Sequence, residues 1–187
     1  MVVLRAALLM TGWLIAGTAS ADPPASPGQE AQIKAHFVLT AVRFVTWPAA
    51  AFRGERDPIV FGVLGDAEVA DSMEAMLAGR TIGGRPVRLK RLRSAADAVA
   101  CHVLFLGRAE AGRAGSHLER APRRWVLTVI DSDRLAPRAG ILALRLREGL
   151  IQFELNLDES RRAGLEISSK LLRLGSVVRN RNLEASR

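Results

Sequence analysis

The sequence predicts a single α/β domain: a mixed, mostly parallel sheet ending in a C-terminal β-hairpin, with helices on both faces. Three observations predict it. Short, continuous apolar runs at residues 59–64, 101–106 and 125–130 read as strands buried on both sides. Stretches with helical apolar spacing separate them, and such spacing requires crossover connections between parallel strands. The pattern then changes: Ile151, Phe153, Leu155 and Leu157 alternate with Gln152, Glu154 and Asn156, and Glu148-Gly149 joins this run to residues 141–147 as a hairpin with one buried face.

The chain opens with Arg5, an apolar run at 6–17 and Ala19-Ser20-Ala21, the pattern of a secretory signal peptide cleaved between Ala21 and Asp22. An uncleaved anchor is the alternative, although the run is shorter than the roughly 18 residues a membrane span wants. The 187 residues less the 21 of the leader leave 166, the size of one domain with its own core. Residues 22–29 form a flexible, proline-rich lead-in, 30–179 the domain, and 180–187 a charged tail.

The first element, 31–48, is a dense apolar helix. Ile33, Phe37, Thr40, Ala41, Phe44 and Val45 recur at helical spacing, Lys34, His36 and Arg43 supply its wet positions, and Pro48 stops it. Trp47 at its exit is either a core anchor, the favoured reading, or a contact for a partner. After a loop carrying Phe52 and a charged cluster, strand 59–64 closes at Gly65-Asp66, where Asp66 caps a helix over 68–78 that Gly79 ends. Val87 and Leu89 alternate with basic residues in a strand near a sheet edge. Ser94 caps a short helix, strand 101–106 follows, Gly107 opens a more polar helix at 110–118, and strand 125–130 leads into a loop at Asp131. After the hairpin, Asp158 caps a short helix that Gly164 breaks, and residues 167–178 form a last helix.

The net charge is +8, or +7 without Arg5. Export removes nucleic acid as a partner, and there is no tyrosine to stack on bases. Anionic headgroups or an acidic protein patch remain as partners for a basic surface, beside the blander reading of a solvated, arginine-rich exterior. The lone Cys101 forms no internal disulfide; it reads as a small buried apolar residue, with an intermolecular bridge or redox sensing as the lesser alternative.

No catalytic constellation emerges. The Gly62 to Asp66 turn lacks the third glycine of a dinucleotide fingerprint and sets an aspartate where an anion would sit. His36, His102 and His117 fall on separate elements without a metal-ligand spacing. Ser168-Ser169-Lys170 lacks the spacing that brings a serine and a lysine onto one helical face. No cofactor or metal is expected.

Several segments, in their order, carry a resemblance: Phe-Val-Thr-Trp-Pro at 44–48, Val-Leu-Gly-Asp at 63–66, the Ala-Gly-Arg-Thr-Ile-Gly-Gly-Arg-Pro-Val run at 78–87, Cys-His-Val-Leu-Phe-Leu-Gly at 101–107, Phe-Glu-Leu-Asn-Leu-Asp at 153–158 and residues 164–174. Together they resemble the YfiR family of periplasmic regulators over about residues 30–179. The resemblance implies a Rossmann-like sheet and a homodimer in the periplasm. It also implies repression of an inner-membrane diguanylate cyclase through its periplasmic part, relieved by an outer-membrane lipoprotein, with lower cyclic di-GMP and less biofilm. Members stapled by a disulfide need a second cysteine beside the 101–107 strand, and Phe61-Gly62-Val63 offers none.

The expected contacts to a partner or dimer mate are Trp47, Phe52, Arg43 and Arg173. The alternative function, a small-ligand sensory module feeding another membrane protein, puts its crevice at the carboxyl ends of the strands, at Gly65, Asp66, Gly107 and Asp131.

Overall fold

The computed structural model describes residues 26–122, 124–133 and 140–178, with 176–178 as backbone. The expected cleavage point at Ala21 and Asp22, most of the lead-in and the charged tail lie outside the described residues.

Helix α1 (Pro27–Val42) begins one residue after Ser26 with a proline in its first turn, a position that needs no amide donor. It ends earlier than the apolar spacing predicts. After Val42 the chain unwinds into β1 (Val45–Thr46), which pairs antiparallel with β9 (Glu166–Ile167). Two β-branched residues prefer the extended backbone, and the remote strand supplies their partners.

The main sheet contains β2 (Ile59–Leu64), β3 (Thr81–Ile82), β4 (Arg85–Leu92), β5 (Val103–Leu106), β6 (Leu127–Asp131), β7 (Leu142–Arg147), β8 (Leu150–Asn156) and β10 (Ser176–Val178). Their order is β10-β8-β7-β6-β5-β2-β4-β3. From β4 to β7 every neighbour is parallel, β7 and β8 form the expected hairpin, and β3 is a two-residue antiparallel edge.

Two cores lie on opposite faces. Alternate residues Phe61 and Val63, Val103 and Phe105, and Leu127 and Val129 meet α1 and α2 (Ala67–Leu77). Leu64, Leu104, Leu106 and Ile130 meet α3 (Ala114–Arg120) and the 3₁₀ turn Ala95–Ala98. Burial on both faces explains why these strands read as unbroken apolar runs. Asp66 caps α2 through Val69 N at 2.9 Å, and Ser94 caps its turn in a reciprocal box with Asp97.

The last predicted helix, 167–178, is not one. It divides into the end of β9, the four-residue α5 (Ser169–Leu172) and β10, which pairs in parallel with β8. The ladder to β8 takes the place of helical bonds at 176–178, and Gly175 leads into it where a side chain would run into the Phe153 ring. Two smaller expectations also change. Asn156, not Asp158, caps α4 (Leu157–Arg162), and Asp131 is the last residue of a strand rather than part of a loop.

Candidate functional site

At the carboxyl ends of the adjacent strands β2, β5 and β6 the chain brings Gly65, Asp66, Gly107 and Asp131 together. Gly107 packs so closely that a Cβ on it would lie 2.5 Å from the Gly65 carbonyl oxygen and 2.7 Å from Asp66 Cβ. Gly65 takes φ +78°, and a Cβ there would collide with Glu110. The two glycines permit the close approach of neighbouring strand exits.

Asp131 is fully buried and its Oδ2 accepts a hydrogen bond from Lys34 Nζ at 2.5 Å. Lys34 is itself only 4% exposed, which overturns its assignment as a wet position on the first helix. The same ammonium lies 2.5 Å from Glu30 Oε1. Arg108 completes the cluster, 2.7 Å from Glu30 and 3.7 Å from Asp131 Oδ1, with Asp133 at 3.4 Å on its outer side. Desolvation pushes the Asp131 carboxyl above its usual range, against the hydrogen bond and charge of Lys34. At Glu30 desolvation also acts upward, but Lys34 and Arg108 together outweigh it and hold the group below its usual value. What space remains is about 170 Å³. That is smaller than the roughly 300 Å³ at which drug-sized ligand pockets begin. The switch point of the sheet is thus closed by the protein's own ion network.

The opposite end of the same strands holds the larger space. A cleft of about 400 Å³ lies beside Arg53, Val60, Ala100, His102, Arg124 and Trp125. His102 accepts from Val60 N through Nδ1 at 3.2 Å, and its Nε2 faces the Ala51 carbonyl at 3.1 Å, which fixes the neutral ring with its proton on Nε2. Desolvation lowers its pKa and keeps it in that form. Phe52 stacks on the His102 ring, centroids 4.6 Å apart, and the Arg85 guanidinium sits 3.7 Å from the Phe52 centroid.

The four expected contact residues therefore separate. Trp47 is half-buried, with Nε1 donating to the Trp125 carbonyl at 2.9 Å, and Phe52 is held between His102 and Arg85. Arg43 and Arg173, at the ends of α1 and α5, are exposed. Cys101 is buried, and desolvation raises its thiol pKa, which is the environment of an inert structural cysteine. Its sulfur faces Gly62, where a Cβ would lie 2.9 Å from Sγ. Among the described residues no group of three or more His, Cys, Asp or Glu side chains is arranged to hold a metal ion, and no helix is long and apolar enough to cross a membrane.

The family model described as YfiR/HmsC-like matches residues 31–176. The chain belongs to the YfiR/HmsC-like family. The matched span runs from the first turns of α1 to the start of β10, so the ion cluster, both sheet ends and the β1–β9 pairing fall almost entirely inside it. A search among curated proteins returns no match. The YfiR/HmsC-like family is regulatory and tied to cyclic di-GMP signalling in the periplasm, and the Rossmann-like sheet expected of it is present.

The place of the ion cluster was legible through Asp131, its partners Lys34, Glu30 and Arg108 were not, and the amino-end cleft was not legible as a site. One signal for the partners existed: Ala31, Lys34, Ala35, Val38, Ala41 and Val42 form the most buried stripe of α1, and Lys34 stands within it. The cleft had none, because Ala100 and Trp125 look like ordinary strand-flanking residues.

Proposed function

We propose that this chain is a non-enzymatic periplasmic regulator, exported with cleavage after Ala21, that binds the periplasmic part of an inner-membrane diguanylate cyclase and restrains it. Cyclic di-GMP and biofilm formation fall when the restraint is in place, and an outer-membrane lipoprotein relieves it by sequestering the regulator. The chain acts as a homodimer. The observation that carries this reading is the YfiR/HmsC-like match over residues 31–176.

The surface for the partner is the end of the domain that bears Arg173. Beside it Leu174 is 72% exposed, an apolar side chain next to a cation, the composition from which binding surfaces are built. Arg43 is the second contact. Trp47 and Phe52 support the domain from within, given the bonds that hold them. A photo-crosslinker at position 173 tests this: it captures an inner-membrane protein carrying a diguanylate cyclase output domain. Capture of other copies of the chain alone, or of no membrane protein, contradicts it.

A small-ligand sensory module is the second reading. The cleft of about 400 Å³ at the amino ends of the strands favours it.

A further inference from the structure

Among the described residues three that are not glycine adopt left-handed backbone: Ala100 at φ 65°, Trp125 at 63° and Glu148 at 52°. Glu148 is accounted for, since it and Gly149 (φ 75°) are the two central residues of the hairpin turn between β7 and β8, where a type I′ geometry requires positive φ at both. Ala100 is accounted for as well: with Val99 at φ −55°, ψ 129° and the Cys101 amide donating to the Ala98 carbonyl at 2.9 Å, it holds the third position of a type II turn, which requires positive φ. Among the described residues Trp125 is left, and it borders the cleft. Left-handed backbone at residues with a Cβ persists only where the surroundings enforce it, and it gathers at binding sites. The enforcement at Trp125 comes from both sides: its amide donates to the Ala163 carbonyl at 2.7 Å, and its carbonyl accepts from Trp47 Nε1 at 2.9 Å. The residue so held lines the cleft, with the Cδ1–Nε1 edge of its indole against Gly164.

The chemistry of the walls defines a ligand. Val60, Pro58, Ala100, Cys101 and the Trp125 ring make them largely apolar. Among the described residues, the cleft's ionic groups are two guanidiniums and one carboxylate. The carboxylate, Asp57, is engaged through Oδ2 with the Arg53 and Gly54 amides at 2.7 and 3.1 Å. The Arg124 guanidinium lies 4.5 Å from the Trp125 ring centroid, and both residues line the cleft. His102 has committed both ring nitrogens to the backbone. Two cations over an apolar floor match an anion with an apolar body. A nucleotide does not fit this description, because no glycine-rich turn or long-helix N-terminus faces the cleft to receive phosphates.

We propose that the cleft at the amino ends of β2, β5 and β6 is a binding site for a small organic carboxylate with an apolar body, its charge met by Arg53 and Arg124 and its body by Trp125 and Val60. Such a ligand gives the domain a chemical input separate from the surface at Arg173. The site does not depend on the regulatory reading, and either can fail without the other.

The test is titration of the folded mature chain with cyclohexanecarboxylate, followed by the intrinsic fluorescence of Trp47 and Trp125. Saturable binding in the millimolar range or tighter is expected, weakening with added salt as screening grows. Cyclohexanecarboxamide, of the same shape without charge, and acetate, charged without a body, each bind about tenfold or more weakly, a difference of about 1.4 kcal/mol. The Arg53→Gln/Arg124→Gln double variant loses at least as much with an unchanged thermal midpoint. Absence of saturation, equal binding of the carboxamide, or an unaffected double variant overturns the proposal. If the double variant does not fold, the carboxylate and carboxamide comparison on the unaltered chain decides alone.

Discussion

Lys34 carries its charge into the core because two carboxylates meet it there, and the energetic consequence is asymmetric. Removing one partner of a buried pair strands the other, at a cost of about 3–5 kcal/mol, whereas replacing both with apolar groups of similar size is often neutral. Lys34→Met is therefore expected to destabilise the protein by about that amount, and Lys34→Met with Asp131→Leu to recover much of it; urea unfolding of the single and double variants checks this. The two carboxylates respond oppositely to pH. Glu30 is held below its ordinary value, so its contribution is present above the normal carboxylate range and is lost as pH falls through its folded pKa. Asp131 is held above, so folding there takes up a proton, and its contribution declines as pH rises through the raised folded pKa. Across that range the stability advantage of the parent over Glu30→Gln grows with rising pH, and its advantage over Asp131→Asn shrinks. Unfolding curves at a series of pH values read both slopes. None of this was visible from sequence, because Lys34 and Asp131 are 97 residues apart and a lysine on a helix ordinarily faces water.

At the scale of elements, the long strands were legible, and the exits of helices and the short strands β1, β3, β9 and β10 were not. Residues 59–64, the hairpin at Glu148-Gly149 and the caps at Asp66 and Ser94 follow from local chemistry, so local sequence revealed them. The end of α1 follows from a partner: Phe44 and Val45 continue the helical spacing, yet the Phe44 carbonyl accepts from Ser168 N at 2.9 Å and Val45 pairs with Ile167. The same holds for 176–178, whose apolar residues suit a helix until β8 offers a ladder. Trp47 secures this region, so Trp47→Phe, which keeps an aromatic body and loses the indole donor, is expected to cost about 1 kcal/mol. Denaturant midpoints measure it, and a change in partner binding without a change in stability speaks for a contact role instead. Gly62 gives an element-scale prediction of a different kind. With a Cβ there 2.9 Å from Cys101 Sγ, a sulfur carried on that carbon is within reach of closing a bond of about 2.05 Å once the Leu92 side chain gives way. Gly62→Cys is expected to form an internal disulfide between β2 and the entry to β5 under oxidising conditions, seen as the loss of both free thiols in the folded monomer; two free thiols or a disulfide-linked dimer contradicts the geometry.

For the whole molecule, the two ends of the sheet divide their roles. The carboxyl end, where open α/β sheets ordinarily take ligands, is filled by Lys34, Glu30, Arg108 and Asp131. The larger cleft lies at the other end, and Arg173 and Leu174 are exposed beside the core residue Leu171. The role proposed for the domain is regulation by contact with a membrane partner. The most direct measurement of that role is cyclic di-GMP in cells lacking this chain, lacking the cyclase captured at position 173, and lacking both. The account predicts a rise in the first strain that disappears when the cyclase is also removed. An unchanged level on deletion, or a rise that persists without the cyclase, contradicts it.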